Sequence, residues 1–155
     1  MIIDSHCHLN YEPMSLSLKE TIGRANKDGV KYMLTISTED KSFDKILNII
    51  SKYPSVYGTY GIHPHEAIHG THGIEALLSE GQIVAVGECG FDFYYDHSPH
   101  EEQEKAFREQ ITYAHKFNLP LVIHTREAWN ETFKVLDEME MPSKTVFHCF
   151  TGGPY

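Results

Sequence analysis

A chain of 155 residues with 41% apolar and 12% aromatic content has enough apolar material for one substantial core, which places it among soluble globular proteins with one domain as the default. Its formal charge of −9 argues against a broad basic face that would hold nucleic acid by counterion release alone, so an anionic substrate would need another attractor, such as metal ions. The three cysteines, Cys7, Cys89 and Cys149, are widely spaced with no C-x-x-C pair, which indicates neither a disulfide framework nor a zinc knuckle and fits a reduced compartment. The start MIID lacks a basic n-region, and no apolar run reaches the ~18 residues of a membrane span, so a cytoplasmic protein that does not cross a membrane is expected.

Along the chain, short runs rich in Val, Ile, Tyr, Phe and Thr alternate with helix-like segments, and no linker or low-complexity stretch divides them. The first strand is predicted at 1–8 (MIIDSHCH), followed by a helix over 15–29 that closes on Gly29. A strand at 31–38, a helix at 42–54 stopping at Pro54, and a strand at 56–63 come next. A shorter helix over 73–81 precedes the strand QIVAVGECG at 82–90. The segment 98–118 predicts a long helix with Ser98 as N-cap, Pro99 in the first helical position, Glu101 completing an S-x-x-E capping box, and a stripe of Phe107, Ile111 and Ala114. A strand at 119–125, a helix at 126–140 with Trp129, Phe133 and Leu136 facing the core, and a strand at 144–150 complete the series.

Strands that alternate with helices require parallel pairing, in either an open doubly wound sheet or a closed β/α barrel. No G-x-G-x-x-G or G-x-x-x-x-G-K-[ST] follows a strand, which leaves a Rossmann-type nucleotide crevice without support and favours the TIM-type (β/α) barrel. A complete barrel has eight units in about 250 residues. Residues 1–155 are therefore read as a single partial barrel domain with about six of the eight βα units.

In such a barrel the chemistry sits at the C-terminal rim of the strands. The predicted strand ends carry His6 and His8, then His63 and His65, then Glu88, His124 and His148. A His-x-His pair on a strand aims two imidazoles to one side, and imidazole with carboxylate is the usual donor set for zinc, manganese and related ions. Alternation turns Cys7, Cys89 and Cys149, each next to a candidate ligand, toward the helix layer, and sets Val84, Val86, Val122 and Val146 inside the barrel below the rim. His63 and Arg126 are candidate substrate contacts, His63 with a catalytic role beside Glu88, while Asp92 and Tyr94 order ligands or serve as turn residues. His69, His72, His97, His100 and His115 are read as solvated.

The motifs DSHCHL, GIHPHEA, VGECGFDFYY, LPLVIHTREA and HCFTGG, in this order and spacing over essentially the whole chain, resemble the TatD family of metal-dependent hydrolases. That resemblance implies a β/α barrel with two divalent metal ions (zinc, manganese or magnesium) and deoxyribonuclease-like hydrolysis of DNA or another phosphate ester. It implies that His6 and His8 hold one metal, His124 and His148 the second, and that Glu88 bridges them. The family pattern continues through two further strands to a metal-binding aspartate, which has no counterpart before Tyr155. The expectation is therefore weak or absent turnover by this chain, with self-association through open barrel edges. The alternatives are an amidohydrolase that cleaves C–N bonds and a metal-binding fragment without catalysis. The first usually bridges its metals through a carboxylated lysine at the fourth strand, where this chain has GECG.

Overall fold

The computed structural model describes residues 1–95 and 97–152. Six strands, β1 (Ile2–Cys7), β2 (Val30–Thr35), β3 (Val56–Tyr60), β4 (Ile83–Asp92), β5 (Leu121–Arg126) and β6 (Thr145–Phe147), pair in parallel, and their spatial order equals their sequence order. A doubly wound sheet reverses strand order at a switch point. A monotonic series, with each strand returned through a helix to the same side, is the order of a sheet that curls toward a β/α barrel. All six C-terminal ends consequently lie along one edge.

The connecting helices are α1 (Leu18–Lys27), α2 (Phe43–Lys52), α3 (Ile74–Leu77), α4 (His100–Phe117) and α5 (Trp129–Glu138). The core lies between them and the sheet: Ile22 of α1, Phe43, Ile46, Ile49 and Ile50 of α2, Phe107, Ile111 and Ala114 of α4, and Val135 and Leu136 of α5 pack on Met33, Val56, Cys89, Leu121 and Ile123. Each Val, Leu, Ile, Phe or Met among them contributes about 1.5–3 kcal/mol by leaving water. β4 is the most enclosed strand, almost wholly buried from Ile83 to Asp92, and it carries the central residue of the rim.

Several sequence expectations change in detail. The helix expected over 73–81 is a single turn. Ser98 does not cap α4: Pro99 occupies the N-cap, and the Ser98 hydroxyl instead donates to the His65 carbonyl (2.8 Å) and accepts from Ile68 N–H (3.1 Å), tying two loops together. In α5 the buried positions are Thr132, Val135 and Leu136, whereas Trp129 packs at the margin against Phe133, Phe147 and Phe150. β6 ends at Phe147, so alternation does not carry Cys149 into the helix layer; the residue has a positive φ of 50° and is exposed. Val86 and Val122 are buried, but Val146 is exposed, because nothing among the described residues covers the inner face beside β6.

Candidate metal centre

His6 and His8 stand at the end of β1 with ring centroids 5.3 Å apart. His8 Nδ1 lies 3.3 Å from the Ile36 carbonyl, which can only accept, so the ring proton is held there and the Nε2 lone pair is free. Burial, followed by the neighbouring His6, holds His8 below its ordinary pKa and keeps it in the neutral form a cation requires. His6 Nε2 is buried, 3.3 Å from Glu88 Oε2, with no hydrogen bond of proper geometry to any described residue.

Glu88 reaches this position because the backbone around it is glycine. A Cβ at Gly61 would lie 2.4 Å from the Gly87 backbone, and one at Gly90 (φ +134°) would lie 2.1 Å from the His124 carbonyl oxygen. Only glycine allows β4 to run this close to β3 and β5. Below the rim, Glu88 N–H donates to Ser37 O (2.9 Å), the Ser37 hydroxyl donates to Gly61 O (3.0 Å), and the Thr59 hydroxyl donates to Gly87 O. This buried layer joins the loop after β2 to β3 and β4, and fixes the backbone that carries the carboxylate.

The two oxygens of Glu88 face different imidazoles: Oε2 faces His6 Nε2 and Oε1 faces His124 Nδ1, each at 3.3 Å. Burial pushes the carboxyl up, but His124, His6 and His63 outweigh it and leave Glu88 ionised, well below the ordinary carboxylate range. His124 Nε2 is 2.9 Å from Asp92 Oδ2. Asp92 is 1% exposed and also meets His65 Nε2 at 3.0 Å, while its Oδ1 accepts the N–H groups of Tyr94 and Tyr95. With the His124 proton directed to Asp92, a neutral ring turns its Nδ1 lone pair toward the Glu88 carboxylate. Two acceptors facing at that distance require a proton or a metal cation between them.

His63 joins Glu88 and His124 in one group of donors, and His6 and His8 join Glu88 in another. His63 Nδ1 accepts the N–H of His65 (3.2 Å), so a neutral His63 carries its proton on Nε2 and is a hydrogen-bond donor there. Burial and then the adjacent His124 lower its pKa to about 3. His148 does not close on His124; its ring lies flat on His6, with centroids 3.4 Å apart at 10°. These residues line an open cleft of about 510 Å³ together with Tyr11, Thr38, Glu39, His65, Glu66 and Cys149. Arg126 lies outside that lining, its guanidinium over the rings of Tyr94 and Tyr95. Cys7 and Cys89 face the core as expected, Cys7 pushed up to about 12 by burial and the Asp4 charge, and Cys89 raised by burial and Glu88.

The donor set fits a divalent cation. It offers imidazoles from separate strands, an ionised carboxylate with one oxygen toward each of two rings, a buried His6 nitrogen with no hydrogen bond among the described residues, and an outer carboxylate on His124. Asp92 was only half visible from sequence, since its role depends on β4 and β5 being neighbours with Asp92 opposite Arg126. His65 and His97 also belong to the cluster's outer ring, His97 lying 4.6 Å from His65, which loop position alone does not reveal.

A family model described as TatD related DNase matches residues 3–154. An uncharacterized metal-dependent hydrolase, YabD, of Bacillus subtilis (strain 168) is 34% identical over 157 residues, covering 98% of this chain and 62% of that protein. The 3'-5' ssDNA/RNA exonuclease TatD of Cronobacter sakazakii (strain ATCC BAA-894) is 37% identical over 138 residues, covering 86% of this chain and 52% of that protein. The crystal structure of YjjV, a TatD homolog from Escherichia coli K12, superimposes with a TM-score of 0.89 at 28% identity, covering 98% of this chain and 61% of that one. The chain thus spans about three fifths of the length of the first of these relatives.

Proposed function

The chain belongs to the TatD-related DNase family, and from that premise we propose that the rim cluster serves a metal-dependent hydrolase that cleaves phosphodiester bonds in nucleic acid. The observation that carries the reading is Glu88, whose two carboxylate oxygens each lie 3.3 Å from the imidazole of a different strand. His6, His8 and Glu88 would hold one divalent ion, and Glu88 and His124 a second, toward which His148 would have to turn from its stack on His6. Such ions supply Lewis-acid polarisation of a phosphoryl oxygen and a water acidic enough to attack near neutral pH.

The remaining steps belong to the chain itself. Asp92 holds His124 in one tautomer and orientation, and the Ile36 carbonyl does the same for His8. His63, neutral and with its proton on Nε2, donates to a phosphoryl oxygen and gains strength as negative charge develops there. Its tautomer is the reason to assign it to substrate rather than to metal. Arg126 adds positive charge at the outer rim, where the acidic chain otherwise repels a polyanion. No lysine lines the cleft among the described residues, which favours the phosphoester over cyclic-amide chemistry bridged by a carboxylated lysine.

The test is hydrolysis of single-stranded DNA and of a cyclic amide, assayed side by side with zinc, manganese or magnesium, using the protein and its Glu88→Ala variant. The reading expects slow metal-dependent cleavage of the phosphodiester alone, abolished by the substitution. Cleavage that persists in Glu88→Ala, or cleavage of the amide alone, contradicts it.

A further inference from the structure

Beyond the cleft, the loop after β4 carries a second construction that phosphodiester chemistry does not require. Tyr94 and Tyr95 are 53% and 50% exposed, their rings 4.8 Å apart and nearly perpendicular at 88°. The Arg126 guanidinium stands 4.1 Å from the Tyr94 centroid and 4.7 Å from that of Tyr95. Among the described residues it forms no ion pair with a carboxylate, so its charge is held by ring faces and remains available to an anion.

This group is tied to the candidate metal centre by one buried side chain. Asp92 accepts from Tyr94 N–H and Tyr95 N–H through Oδ1, each at 3.0 Å, and binds His65 and His124 through Oδ2. The Tyr95 ring packs against His65 at 5.5 Å, His65 lies 4.3 Å from His63, and His63 lies 4.3 Å from His124. A continuous run of aromatic rings therefore leads from the cleft to the exposed tyrosines. Tyr95 also lies nearly parallel to His97, at 5.9 Å and 14°, and even with Arg126 and His97 against them both tyrosines stay about half exposed.

We propose that Tyr94, Tyr95 and Arg126 form a stacking platform for an unpaired nucleobase of a single-stranded nucleic acid whose phosphate enters the cleft. The ring surface left exposed beside Arg126 would take a base, and the guanidinium would meet its flanking phosphate or stack on it. Bases held in a duplex cannot reach such faces, so the platform selects single strands, with tolerance for sequence. This inference rests on the phosphodiester reading of the cleft and names the part of the substrate that sets specificity.

The experiment is calorimetric titration of the full chain, loaded with zinc, using a phosphorothioate oligothymidylate that resists cleavage and an abasic strand of equal length and charge. The base-bearing strand is expected to bind about tenfold more tightly, in line with the stacking contribution of one base. Tyr94→Ala/Tyr95→Ala, checked for native circular dichroism, is expected to bring the ratio of the two affinities to one. Tyr94→Phe/Tyr95→Phe retains the rings and should retain the preference. Equal binding of both strands by the unaltered protein, or a preference that survives the double alanine variant, overturns the platform and leaves the phosphodiester reading intact. Failure of both strands to bind overturns both.

Discussion

The two sides of the cleft are built differently. On the side of β1, β4 and β5, every candidate ligand except His6 has a second partner: His8 a backbone carbonyl, His124 the Asp92 carboxylate, and Glu88 a backbone anchored through Ser37. On the side of β6, the strand is three residues long, His148 is held by stacking on His6, and Cys149 and Phe150 face solvent. Donor geometry is thus fixed by hydrogen bonds on one side and by ring contact on the other. Identical residue types at strand ends need not be equally organised, because orientation comes from the strands on either side, and β6 has a described neighbour only in β5.

Breaking the organised side should have the largest effects. Gly90→Ala places a Cβ 2.1 Å from the His124 carbonyl at a φ of +134°, so both sterics and backbone strain oppose it. A loss of about 4 kcal/mol in unfolding free energy, read from urea midpoints, is expected. A substitution there that leaves the midpoint unmoved would show that β4 and β5 are not in this register.

A smaller effect is expected at Asp92. Asp92→Asn replaces a doubly accepting oxygen pair with an amide that offers donors to His65 and His124, which disorders one ligand without removing it. Zinc affinity, measured by competition with a chromophoric chelator, should fall about 10–100-fold. Unchanged affinity would assign Asp92 to the Tyr94–Tyr95 turn alone.

On the β6 side a pair of variants separates ligand from substrate contact. His148→Ala is expected to reduce zinc affinity by less than Asp92→Asn does. His63→Ala should leave zinc content unchanged and lower the rate of phosphodiester cleavage, because its Nδ1 is already occupied by His65 N–H. If His63→Ala loses zinc and His148→Ala does not, the roles of the two are exchanged. The smallest expected signal is chemical: Cys149 alone is exposed, so a thiol reagent should modify one of the three cysteines in the native protein and all three in denaturant.

The candidate ligands His6, His8, Glu88, His124 and His148 were legible because strand alternation and the one-rim rule of parallel barrels convert spacing into direction. What surrounds them was not. Thr59, Ser37 and Asp92 act across strands, and residues 22 or more positions apart in sequence give no local signal that they touch. Ser98 carries a correct capping pattern, yet its hydroxyl is engaged by the loop that holds His65, so tertiary contact overrode a local rule. Cys149 failed for a simpler reason, since alternation has meaning only while a strand continues.

If imidazoles from separate strands grip the same cations, side-chain ¹⁵N–¹H spectra of the histidines during zinc titration will show it residue by residue. The resonances of His6, His8, His124 and His148 are expected to move at the first equivalents of zinc, while those of exposed His69 and His72 stay in place. Zinc that shifts only the surface histidines, or all of them alike, would contradict it.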